Sequence, residues 1–182
     1  MSMRLEPSTT AAPAEWLFEQ PRPWHEKTYG PTGFEACARL RFPTEPTPGP
    51  SELWQLGAAV ERLTQHTATA RQCYFLIWEG WPHHRSFSDG ARVELFDGAS
   101  TIPVRAYHLF EGDADLFSWQ DDSSLPATSH TLPDPAFIWP ADHAWFIADD
   151  VDPDFATIGA SAEAITDLLR DTRIDTVPGR DD

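Results

Sequence analysis

WPADHAWFIADDVDPDFATIG, residues 139–159, decides how this chain is read. It packs two tryptophans, one histidine and five aspartates into a single stretch, which admits a metal loop or a strand, a turn and a strand. Asp150, Asp152 and Asp154 have the alternate spacing of a calcium loop. An EF-hand also needs glycine at the sixth position and glutamate at the twelfth, for the sharp turn and the bidentate ligand. Counted from Asp150, those positions are Phe155 and Ser161, so the motif fails. Alternation explains the rest: Trp145 and Ile147 face one way, Ala144, Phe146 and Ala148 the other. That period of two belongs to a strand. Asp152-Pro153 starts a turn, FATIG (155–159) is a second strand, and FIWP (137–140) is a strand fragment ended by Pro140.

Working outward, FEACARLRF (34–42) also alternates and predicts a half-buried strand. CYFLIWEGW (73–81) is a continuous apolar run and predicts a central strand buried on both faces. ARVELFDG (91–98) and IPVRAYHLF (102–110) predict an antiparallel pair across a short turn. Two segments have helical period. In 51–67, Leu53, Leu56, Val60 and Leu63 form a stripe behind a Ser51 cap. In 161–173, Ala162, Ile165, Leu168 and Leu169 form another behind Ser161. Helical turns are expected at Glu15–Glu19, stopped by Pro21 and Pro23, and within DADLFSW (113–119). The expected fold is α+β: a mainly antiparallel twisted sheet of about six strands, with two helices packed on one face. One globular domain spans 14–174, between flexible tails at 1–13 and 175–182.

The formal charge is −16, and residues 111–182 carry 17 acidic against 3 basic side chains. Such a surface repels nucleic-acid phosphates and anionic membranes and favours a basic partner or plain solubility. No apolar run reaches the 18 residues of a membrane span, and the first residues lack the apolar core of a signal peptide. Two cysteines, Cys37 and Cys73, are too few for a disulfide scaffold and read as reduced thiols of a cytoplasmic protein, with a single bridge left open.

Motifs of catalysis are missing. The sequence has no nucleophile elbow, no paired C-x-x-C, and neither nucleotide-phosphate glycine loop. No two of the seven histidines have zinc-ligand spacing, and no cofactor is implied. Glu79, in a buried run, either needs a partner such as Arg105 or lies at the strand end in water, the favoured reading. Two readings of the function stay open. In the first, the chain is a non-enzymatic acidic protein-binding module, with Trp139, Asp142, His143, Trp145, Asp149, Asp150, Asp152 and Asp154 as the binding surface. In the second, an enzyme or a small-molecule or metal binder uses a pocket near His83, His84, Asp142 and His143.

Four segments carry a resemblance: PTGFEACARLRFP, CYFLIWEGWP, YHLFEG and FIWPADHAWFIADDVDPDFATIGAS. Together they resemble a family of uncharacterised proteins from high-GC bacteria over most of residues 30–171. That family has no established activity, so the resemblance implies no catalytic residue. Where its pattern has arginine after Asp142, this chain has His143. The acidic finish is also similar to small immunity-type proteins of bacterial toxin systems, and that likeness implies neutralisation of a basic toxin.

Overall fold

The computed structural model describes residues 5–43, 50–82, 88–115, 133–151 and 153–179. The strands are β1 (Glu6–Pro7), β2 (Ala36–Arg41), β3 (Cys73–Trp78), β4 (Ala91–Phe96), β5 (Pro103–Gly112), β6 (Phe137–Pro140), β7 (Trp145–Ala148), β8 (Phe155–Ala160) and β9 (Thr176–Pro178). The helices are α1 (Glu15–Phe18), α2 (Trp24–Lys27), α3 (Glu52–Leu63) and α4 (Ala162–Leu169). The strands form one sheet in the order β1-β5-β3-β6-β7-β8-β2-β9, with β4 also on β5, and every pair is antiparallel.

The α+β class and the antiparallel sheet match the expectation, but the sheet has nine strands among the described residues rather than about six. Two of the additional strands, β1 and β9, come from segments read as tails. Neither has an alternating apolar pattern. Their order comes from pairing with β5 and β2. The short α2 was also missed, because it begins directly after Pro23, a residue read only as a helix stop. Proline suits a helix start, where its missing N–H costs nothing.

The core has two sides. On one, Leu56, Val60 and Leu63 of α3 and Ile165 and Leu168 of α4 meet Phe75, Ile77, Trp145, Ile147 and Ile158 of the sheet. Both helices start as their sequences predict. The Ser51 and Ser161 hydroxyls accept from the Trp54 and Ala164 amides at 3.1 and 3.2 Å, caps worth about 1 kcal/mol each. On the other side, α1 and the chain following it cover Leu76, Tyr107, Phe137, Trp139 and Phe146. The sheet is therefore covered on both faces, and β3 is buried on both, as its unbroken apolar run implied.

Candidate functional site

Five of the expected binding residues, Trp139, Asp142, His143, Trp145 and Asp150, make contacts within the fold. Trp139 and Trp145 are fully buried, on opposite sides of the sheet. Asp142 is a lock between loops: it accepts from the Thr67 hydroxyl at 2.7 Å and from the Ala68 and Ala144 amides at 2.9 and 3.1 Å. Burial pushes its carboxyl up, but those hydrogen bonds and one with Thr69 outweigh it and hold the group below its ordinary range. His143 takes a positive φ of 54° and stacks on Trp16 with ring centroids 4.1 Å apart. Burial lowers its pKa against the pull of Asp142.

Asp150 is buried and accepts from the Tyr107 hydroxyl at 2.9 Å and the Arg105 guanidinium at 3.2 Å. Arg105 in turn lies near the Trp24 and Trp78 rings. Glu79 therefore pairs elsewhere, with Arg92 at 2.7 Å and His108 at 3.2 Å. Asp154 is exposed. Asp152, His83, His84 and most of the DADLFSW segment lie outside the described residues. Among those described, no group of three or more histidine, cysteine or acidic side chains is placed to hold a metal ion.

Asp149 is the most perturbed of the expected set. Burial, together with the charges of Glu52, Asp134 and Asp150, pushes its carboxyl up to about 8. The unfolded chain titrates near about 3.9. Between those values the folded state binds the extra proton, so this group removes stability as pH rises from about 4 towards 8. Asp149→Asn stays neutral throughout. Its stability should match the wild type near pH 4 and exceed it progressively towards pH 8, read from urea midpoints. A difference independent of pH would contradict the assignment.

The structure places a cleft elsewhere. It measures about 710 Å³ and lies on the face of the sheet away from α3 and α4. Its floor is built by β2, β7 and β8, through Cys37, Arg39, Phe146, Phe155 and Thr157. Its roof is the segment Tyr29–Phe34. The outer face of β2, which sequence alternation left to solvent, is thus one floor of the cleft.

The roof is held by specific bonds. Arg22 donates to the Gly30 carbonyl at 2.6 Å, and Gln20 accepts from the Thr32 amide and hydroxyl at 3.1 and 3.0 Å. Gly30 has a φ of 91°, and a Cβ there would come within 2.2 Å of the Phe146 ring. Gly159 meets the same ring from β8, at 2.3 Å. Two glycines thereby seat Phe146 in the floor. Phe34 packs edge-on against it at 5.0 Å, and Tyr29 stacks on Phe155 at 5.9 Å with planes 5° apart. Tyr29 is one of three exposed large hydrophobic side chains among the described residues.

The charges of the cleft run against those of the whole chain. Arg41, Arg62, Arg92, Arg105 and Arg173 each pair with a carboxylate. Arg39 instead lies over the Phe155 ring, 4.7 Å from its centroid, with no carboxylate partner among the described residues. Arg22 Nε is buried without a hydrogen-bond acceptor among the described residues. The sequence signal for this site was the loop YGPTGF before an alternating strand, with glycines where left-handed backbone is needed.

The two cysteines form no disulfide and lie on strands separated by β6, β7 and β8. Cys37 is partly exposed in the cleft, whereas Cys73 is buried, its thiol pushed up to about 12 chiefly by burial. A thiolate-reactive disulfide reagent should therefore label one thiol per native chain, at Cys37. Two equal fast phases, or label found at Cys73, would contradict this.

No family model matches the chain, and no curated protein or solved structure matches it with significance. No helix among the described residues is long and apolar enough to cross a membrane.

Proposed function

We propose that this chain is a binding domain whose working site is the cleft between the Tyr29–Phe34 roof and strands β2, β7 and β8. One observation carries the reading: the cleft has the volume and mixed lining of small-molecule sites, with an apolar aromatic floor and a few polar groups. Its cationic side chains have no ion pair among the described residues, in a chain with 29 acidic residues against 13 basic ones. The test is a fragment screen by amide chemical shifts. Ligands should move residues 30–34, Cys37, Arg39 and Thr157, and the cleft-filling variant Thr157→Trp should abolish those shifts. If no fragment perturbs these amides, or if Thr157→Trp leaves binding intact, the reading is wrong.

The charge excess favours a second reading, an acidic module that neutralises a basic protein such as a toxin. Its support is the 17 acidic against 3 basic side chains after residue 110. Exposed acids such as Asp154 and Glu163 would contribute, whereas Asp142, Asp150 and Asp171 are engaged internally. A basic partner should be recovered from native lysate at low salt and released as salt rises, because screening weakens exposed charge pairs. Recovery of no basic protein would remove this reading.

A further inference from the structure

Resting on the cleft reading, we infer the class of ligand: a monoanionic carboxylate carried on a planar aromatic body, held by Arg39 with Arg22 in the wall. Three observations converge. First, the floor and mouth are aromatic. Phe146, Phe155, Phe34 and Tyr29 present faces and edges to one space. Flat rings fill such a space through offset and edge contacts.

Second, among the described residues the charged groups lining the cleft are Arg22, Arg39 and Glu26. Two cations against one exposed anion leave a net charge of +1, set in a chain of net −16. A single negative charge balances that site. A phosphate dianion would leave one charge uncompensated, close to Glu26 and within a repulsive protein field.

Third, the cations have capacity to spare. The Arg39 guanidinium lies over the Phe155 ring and has no carboxylate partner among the described residues, so a carboxylate fork can meet its N–H groups. Arg22 spends one terminal nitrogen on the Gly30 carbonyl, and its Nε is buried and unsatisfied. Cys37 lies on the same floor, so its thiol reports occupancy without taking part in binding.

The experiment uses the full chain with three probes of one shape: 2-naphthoate, neutral 2-naphthalenemethanol and dianionic 2-naphthyl phosphate. Calorimetry gives affinity, and the rate of Cys37 alkylation gives occupancy. The carboxylate should bind at least about tenfold more tightly than either analogue, as expected for a charged hydrogen bond in a partly buried site. It should also slow Cys37 alkylation. Arg39→Gln should remove that tenfold preference while the neutral probe binds as before, which also shows that the variant is folded.

The outcomes separate the two claims. If all three probes protect Cys37 equally, or Arg39→Gln keeps the preference, the cleft binds but the carboxylate class is wrong. If the phosphate binds best, the charge argument fails. If no probe binds or protects Cys37, this ligand class is excluded, and the cleft reading then rests on the wider fragment screen.

Discussion

Replacing Asp150 by alanine should cost about 3–5 kcal/mol of folding stability, the range for removing one partner of a buried ion pair. The carboxylate is 1% exposed and the Arg105 side chain 10% exposed. Asp150 accepts from Tyr107, from Arg105 and from the Val151 amide. Alanine takes this counter-charge from a guanidinium placed near two indole rings. It also leaves the Tyr107 hydroxyl without this acceptor on a fully buried side chain. Asp150→Asn keeps the shape and one acceptor oxygen, so its loss should be smaller. Urea unfolding of both variants checks the ranking, and a cost below about 1 kcal/mol for alanine would count against a buried pair.

Gly30→Ala should be the next most damaging change, at roughly 2–5 kcal/mol. Two causes add. The φ of 91° costs an L-residue about 1–2 kcal/mol, and forcing a methyl to 2.2 Å from Phe146 is overpacking worth about 1–3 kcal/mol. Gly159→Ala has only the second cause, because its backbone is ordinary strand. A double-mutant cycle separates the two. In a Phe146→Leu background, Gly159→Ala should become nearly neutral, while Gly30→Ala should keep its backbone part. Equal rescue of both would show that the left-handed backbone carries no cost, contrary to this account. Either glycine variant should also disturb the cleft, since both positions seat its floor.

Much of the fold could be read from periodicity, because periodicity reports burial. The alternation of Trp145 to Ala148 placed Trp145 and Ile147 against α3 and α4, and Phe146 and Ala148 on the other side. Only Ala144 departs, packing on the helix side just ahead of the strand. Phe34 precedes β2 and faces the cleft, whereas Ala36, Ala38 and Leu40 join the helix-side core.

The site was harder to read, because concentration of charge is a poor guide to availability. Asp142 and Asp150 looked like a surface, yet their oxygens are occupied by amides, hydroxyls and a guanidinium. A sequence shows which residues carry charge but not what they already hold. The cleft draws Arg22, Gly30, Arg39, Phe146 and Phe155 from positions far apart in the chain, so no local motif announces it.

The margins of the sheet have a consequence for self-association. A strand at a sheet margin is a template on which another chain can lengthen the sheet. Here β1 sits with β4 along β5, and the Ser8 backbone bridges them, donating to Leu109 and accepting from Ala91. At the far margin β9 covers Ala38–Leu40 of β2. Both covering strands contain a proline, Pro7 and Pro178, which has no N–H to offer a newcomer. The short segments that carry no core therefore act as fences. A shortened chain lacking residues 176–182 would keep its interior but leave the flank of β2 open to a second copy.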